Sequence, residues 1–247
     1  MYDEAFATAT IASKAFARIA SVEAEFLIRS MGLARGEKIL DVPCGTGRHA
    51  RVFARAGLEV TGVDISPKLI RMAKEKRIAR TNYAVGNMLD LSKYRGKFDA
   101  VVNLFTSFGY FRNERDNERA LREMVGALRP GGRFALHLID RDWLLKVFMS
   151  ESTNERDGVR TVETRSYDPK TKRIESRTVA HDLKTGRIRK YFHETRLYSK
   201  PEIFRILKAA GLKRIVVYGD TDGSLYSKGE STHPIYVGWK PAAVGVR

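Results

Sequence analysis

The stretch Ile39-Leu40-Asp41-Val42-Pro43-Cys44-Gly45-Thr46-Gly47-Arg48 constrains this chain more than any other. An apolar strand runs into a glycine turn, and a second strand, Val60-Thr61-Gly62-Val63-Asp64, also ends in a carboxylate. Glycines permit left-handed backbone and close approach of a ligand to the main chain. Carboxylates at successive strand ends, beside such a turn, make a nucleoside-binding edge, with Asp64 placed to hold a ribose.

From residue 38 onward, short β-branched runs alternate with helical patterns. Strands are predicted at 38–42, 58–63, 82–85, 98–103 and 133–138, with helices near 46–56, 67–77 and 115–128. The last helix is closed by Arg129-Pro130-Gly131-Gly132, a helix stop and a turn. This alternation predicts a parallel sheet covered on both faces. Upstream, Phe6, Ile11, Phe16, Ile19, Phe26, Leu27 and Met31 have a loose helical spacing that predicts one or two leading helices. Tyr2 and Phe6 are candidates to close over a ligand by position. Residues 158–198 break the pattern: polar and apolar residues alternate around turn signals at Asp168-Pro169-Lys170-Thr171 and Lys184-Thr185-Gly186, predicting two consecutive antiparallel hairpins. A helix at 200–212 and strands at 213–217 and 233–239 follow, the two strands pairing as an antiparallel edge. The expected division is N-terminal helices in 1–35, a ligand-binding domain in 36–145 and 200–241, and a hairpin lid in 150–199.

With 247 residues and 43% apolar content, the chain can bury a sizeable core in one domain bearing an insertion. The single cysteine, Cys44, excludes an intrachain disulfide and a cysteine-rich zinc site, and suits a reducing, cytoplasmic compartment. His49, His137, His181, His193 and His233 lack close ligand spacing, so no metal is expected. No run approaches the roughly 20 apolar residues of a membrane span. Asp3, Glu4, Glu23 and Glu25 interrupt the Ala-rich opening, against a targeting peptide. The formal charge of +16 favours encounter with anionic partners, and RNA stays open as one of them.

Gly45-Thr46-Gly47-Arg48-His49-Ala50 formally fits the glycine fingerprint of dinucleotide-binding folds. Asp41, four residues before the first glycine, would repel a diphosphate, and Pro43-Cys44 widens the turn. The same carboxylate suits an ammonium or sulfonium cation. Leu40 to Arg48 resembles the first motif of class I S-adenosylmethionine-dependent methyltransferases. Asp64 matches that family's ribose-binding acid. Gly86-Asn87-Met88 matches the residues around its adenine, where the family more often has Asp than Asn. Phe98 to Leu104 resembles its fourth strand, and Arg129-Pro130-Gly131-Gly132 the turn before its fifth. The resemblance implies an α/β, doubly wound, Rossmann-like fold: a seven-stranded, mostly parallel sheet with an antiparallel edge strand, plus an antiparallel β lid insertion. It implies S-adenosylmethionine as methyl donor, S-adenosylhomocysteine as product, and a cofactor set of Asp41, Pro43, Cys44, Gly45, Thr46, Gly47, Arg48, Asp64, Ile65, Asn87, Met88 and Leu104. Cys44 is expected to pack within this loop.

Leu104-Phe105-Thr106-Ser107-Phe108-Gly109-Tyr110-Phe111 should line the acceptor pocket. It lacks the Asn-Pro-Pro-Tyr type of sequence found in many base-amine methyltransferases. It is similar to the Ser-Phe-Gly or Ser-Ile-Gly segment of small-molecule methyltransferases, including those acting on amino sugars and small amines. The hairpin insertion, His193-Glu194 and Gly219 to Ser224 also resemble that subgroup. Expected substrate contacts are Phe105, Ser107, Tyr110 and Arg196, with core packing the alternative for Phe105, Phe108 and Phe111. Proton-handling candidates are His137, Tyr110 and His193, with Glu194; His181 and His233 are expected to be structural. The arginines of the insertion either clamp an anionic acceptor or face solvent. A small-molecule acceptor methylated on nitrogen or oxygen is the favoured reading. RNA methylation and non-catalytic cofactor binding are the alternatives.

Overall fold

The computed structural model describes residues 14–156 and 158–242; Tyr2, Phe6 and Ile11 lie outside them. Helix α1 (Lys14–Met31) leads into alternating elements: β1 (Lys38–Asp41), α2 (Arg48–Arg55), β2 (Glu59–Asp64), α3 (Pro67–Glu75), β3 (Thr81–Val85), β4 (Phe98–Asn103), α4 (Glu114–Ala127) and β5 (Leu128–His137). A short helix α5 (Arg141–Lys146), which the sequence pattern did not announce, opens on the Asp140 side chain, which accepts from the Trp143 N–H at 2.8 Å. Strands β6 (Glu151–Arg156), β7 (Val159–Asp168), β8 (Arg173–Asp182) and β9 (Ile188–Arg196) then precede α6 (Lys200–Ala209), β10 (Lys213–Tyr218) and β11 (Ile235–Trp239).

Seven strands form one sheet in the order β10-β11-β5-β4-β1-β2-β3. β1 pairs in parallel with β2 and β4, so the ends of β1, β2 and β4 emerge at one edge on either side of the switch in strand order. That edge is where open α/β sheets bind ligands. β11 is antiparallel to both β5 and β10, so the antiparallel strand lies one place in from the edge. Pleating sorts alternate residues: Leu40, Val101, Phe134 and Leu136 pack with α4 and α6 on one face. Ile39, Ala100, Val102 and Ala135 pack with α1, α2 and α3 on the other. The expected turn at Arg129-Pro130-Gly131-Gly132 is absorbed into β5, which begins at Leu128 through a register shift against β4.

The remaining four strands form a separate antiparallel sheet in sequence order. It holds three hairpins where the pattern predicted two. The unpredicted strand, β6, reads Glu-Ser-Thr-Asn-Glu-Arg and carries no apolar alternation to betray it. The sheet docks on the loop after β4: the Arg196 N–H donates to the Gly109 carbonyl at 2.9 Å. A Cβ on Gly109, whose φ is +101°, would stand 2.6 Å from the Arg196 oxygen, so the approach needs glycine.

Candidate active site

At the end of β1, Asp41 is 1% exposed, and its carboxylate has only the Ala50 backbone N–H and the Arg48 guanidinium near it among the described donors, neither in full hydrogen-bond geometry. Burial raises its carboxyl to about 8; nearby Arg48 opposes the rise and Asp64 adds to it. A buried carboxylate without full hydrogen bonds is costly unless a cation joins it. The glycine turn follows, with Gly45 at φ +54° and Gly47 at φ +72°. A Cβ on Gly47 would meet Tyr83 Oη at 2.5 Å, and one on Gly62 would meet Cys44 Sγ at 2.8 Å. The Cys44 side chain is packed in the core, where burial pushes its thiol well above the ordinary range. Leu104 is buried in the same cluster. Buried Thr46 uses its carbonyl to accept from Arg51 at 2.7 Å.

Asp64 is oriented by two main-chain donors, Gly45 N–H to Oδ2 at 2.8 Å and Ser66 N–H to Oδ1 at 2.9 Å. Asp64, Pro43, Ile65, Asn87, Met88 and Tyr110 line one cavity of about 210 Å³, with Val42, Val63, Gly86 and Phe111. Five expected cofactor residues thus converge there, together with one expected catalytic residue. The Asn87 carbonyl oxygen accepts from Leu89 N–H at 2.9 Å, which leaves its amide nitrogen as the group to offer a ligand.

A larger cavity of about 800 Å³ is lined by Arg18, Ile19, Val22, Glu23, Phe105, His137, Asp220, Thr221, Thr232 and His233. Phe105 and Thr106 both take left-handed backbone, φ +58° and +53°. For non-glycine residues this stores roughly 1–3 kcal/mol each and needs surroundings that enforce it. The Thr106 N–H donates to the His137 carbonyl at 3.0 Å, and the Arg48 guanidinium stacks 4.1 Å over the Phe105 ring. Arg48 therefore lies between the glycine turn and the acceptor loop. Phe108 is core, packed on Tyr198, while Phe111 borders the smaller cavity.

The three proton-handling candidates separate into two groups. Tyr110 meets His193 edge to face, ring centroids 5.4 Å apart. Burial pushes the Tyr110 hydroxyl up to about 12 against the opposing Ser107 hydrogen bond, so it is a donor at neutral pH. Burial also lowers His193. His137 lies instead at the larger cavity, lowered by burial to about 4 and so neutral.

The remaining candidates are placed as follows. Arg196 does not present a free clamp: its Nε pairs with Glu114 at 3.0 Å, its Nη2 with Glu202 at 2.8 Å, and it lies 3.9 Å over Tyr198. Glu194 is no base: burial would raise its carboxyl, but Arg112 and Arg173 at 2.9 and 2.5 Å outweigh that and hold it ionised. His233 borders the larger cavity, its ring 5.8 Å from that of His137, and His181 sits in β8, an interior strand. The sequence reading also missed Glu23 and His49 as a pair, Nε2 to Oε2 at 2.5 Å, and Arg173, whose Nη1 donates to the Phe111 carbonyl at 3.0 Å. Only their polarity inside apolar patterns could have flagged them.

Residues 39–132, the span of this edge, match the family described as Methyltransferase domain. The chain is 30% identical over 205 residues to the dTDP-3-amino-3,4,6-trideoxy-alpha-D-glucopyranose N,N-dimethyltransferase of Streptomyces venezuelae, covering 80% of this chain and 84% of that one. The chain belongs to the S-adenosylmethionine-dependent methyltransferases. This methyltransferase also shares its fold with S-adenosylmethionine-bound CalS10, an amino pentose methyltransferase from Micromonospora echinaspora, at a TM-score of 0.70 and 22% identity over 97% of this chain and 98% of that one. Its match to the demethylmenaquinone methyltransferase of Tropheryma whipplei (strain Twist) is 34% identical but spans only 44% of either chain. The family's methyl donor fits the residues present: the buried, under-satisfied Asp41 carboxyl complements a cation, and the smaller cavity joins a fixed carboxylate to apolar walls. No described helix is long and apolar enough to cross a membrane.

Proposed function

We propose that this methyltransferase transfers a methyl group to nitrogen, or to oxygen, of a small-molecule acceptor bound in the larger cavity, in the cytoplasm. The observation that carries the reading is the composition of that cavity: two carboxylates, Glu23 and Asp220, outnumber the one cation among the described lining residues, Arg18, and two histidines stand beside Phe105 in the loop after β4. Carboxylates in an aromatic-walled cavity suit an amine. The likeness to an aminosugar N,N-dimethyltransferase supports the same class.

S-adenosylmethionine, when bound, supplies a methyl on a cationic sulfur that leaves as a neutral thioether. Asp41 would face the donor's positive charge and Asp64 its ribose hydroxyls. Ile65, Met88 and Val63 would enclose the adenine, with Asn87 as donor. An amine must shed a proton to expose its lone pair, and neutral His137 can hold it. Tyr110 and His193, carried partly by the second sheet, would orient the complex from the smaller cavity. That sheet would act as a lid. Orientation and water exclusion together can supply up to roughly 7–11 kcal/mol of the barrier.

The test is transfer of label from methyl-tritiated S-adenosylmethionine into fractionated extract, with Asp64→Ala as control. Label in an amine-containing small-molecule fraction is the expected result. Label in RNA would replace the reading, and cofactor binding with no label in any fraction would reduce the chain to a binding protein.

A further inference from the structure

Glu23, on α1, is 4% exposed and lies between two histidines from distant elements. Its Oε2 is 2.5 Å from His49 Nε2, at the start of α2. Its Oε1 is 3.3 Å from His137 Nδ1, at the end of β5. Burial would raise the Glu23 carboxyl, but the His49 hydrogen bond first, and then electrostatic attraction toward His49, His137 and Arg48, hold it below the usual range, and it is ionised. His137 Nδ1 is itself sealed from solvent and makes no hydrogen bond among the described residues; at 3.3 Å the Glu23 oxygen faces it at ion-pair distance.

Two electron-rich groups in such a place cannot face each other comfortably. If Nδ1 carried the lone pair, it would confront an ionised carboxylate at 3.3 Å in a low-dielectric site. If Nδ1 carries the hydrogen, the contact becomes attractive and the buried nitrogen gains an acceptor. The other ring nitrogen, Nε2, is not sealed in this way, and the ring lines the larger cavity.

We propose that Glu23 is a positioning residue for His137, accepting from Nδ1–H and so fixing the tautomer whose Nε2 lone pair faces the acceptor cavity. His49 anchors the carboxylate from the other side. Burial is the main force against a second proton on His137; Glu23 favours that proton, and His233, His49 and Arg48 disfavour it. The ring is thereby kept neutral until a proton arrives from the acceptor's nitrogen: the N–H bond of the ammonium breaks, its electron pair stays on nitrogen for the attack, and the proton joins Nε2, giving an imidazolium against Glu23. The use of Nε2 as proton acceptor rests on the methyl-transfer reading. The tautomer does not.

Long-range proton–nitrogen NMR of the histidine rings in the uniformly ¹⁵N-labelled full chain at pH 7 tests it, with His137→Gln assigning the signal. The expected result is a protonated Nδ1 and an unprotonated Nε2 in the unaltered protein. Glu23→Ala should shift the ring toward the Nε2–H form and lower label transfer more than tenfold while S-adenosylmethionine affinity changes less than threefold. An Nε2–H or doubly protonated His137 in the unaltered protein overturns the proposal even if the variant fails to fold. So does a folded Glu23→Ala protein with an unchanged tautomer. A correct tautomer in a chain that labels no extract fraction would count against the methyl-transfer reading alone.

Discussion

Tyr110 and His193 meet with ring planes at 88° and centroids 5.4 Å apart, joining the loop after β4 to strand β9 of the second sheet. One ring belongs to the wall of the smaller cavity, the other to the element that docks over it. The contact ties the placement of the second sheet to the geometry of the cofactor edge.

Tyr110→Phe keeps the ring contact and removes the hydroxyl held by Ser107. We expect label transfer to fall roughly 100-fold, the lower end of the range for loss of a positioned proton-transfer group, with melting temperature nearly unchanged. Because that hydroxyl is pushed up to about 12, the alkaline limb of a rate profile below pH 10 should be the same in both proteins. Paired pH–rate curves check this.

Asp41 couples stability to pH in an unusual direction. Its carboxyl is raised to about 8 in the fold, against about 3.9 in an unfolded chain. Between those values the folded state holds more protons, so this group's contribution is full below about pH 4 and is lost as pH rises through 8. Asp41→Asn should flatten that slope and raise the Tm at pH 8.5, by roughly 2–4 °C for each kcal/mol relieved. The same change should weaken S-adenosylmethionine binding at least tenfold. Calorimetry of unfolding and of binding reads both.

Gly47→Ala combines a left-handed φ of +72° with a Cβ placed 2.5 Å from Tyr83 Oη and 2.7 Å from its ring. The strain alone costs about 1–2 kcal/mol, and the clash adds to it. Chemical denaturation should show a loss of at least 2 kcal/mol that Tyr83→Phe relieves only in part, since the ring carbon remains in the way.

Arg173 bonds Glu194 and the carbonyl of Phe111, linking β8 to the acceptor loop. Both side chains of the pair are under 10% exposed. Removing Arg173 leaves Glu194 to Arg112 alone and frees the Phe111 carbonyl, so Arg173→Ala should destabilise by about 1.5–3 kcal/mol, the range for a lost hydrogen bond to a charged group. Arg173→Met with Glu194→Leu should cost less than the single change, although Arg112 then loses its acceptor. Thermal melts of the two variants beside the unaltered protein decide it.

The cofactor edge was legible because its signals are local. Asp41, the two turn glycines and Asp64 occupy strand ends set by short apolar runs, and Pro43, Ile65, Asn87 and Met88 follow from the same strands. Strand β6 was not legible, because a wholly polar strand on a sheet edge has no buried face to write an alternation. The bulged start of β5 was read as a turn for a related reason: Arg129-Pro130-Gly131-Gly132 has turn chemistry, and pairing with β4 overrode it.

Sequence by itself determined the alternating α/β order, the carboxylates at two strand ends, and the glycines between them, since each depends on neighbours a few residues away. Tertiary structure alone decided that Glu23 would lie between His49 and His137, that Arg196 would be spent on Glu114 and Glu202, and that Glu194 would be held ionised by two arginines. These partners come from elements far apart in the chain. Which charge meets which, and so which side chain is free to act on a ligand, is set only when packing brings those elements together and strips water from between them.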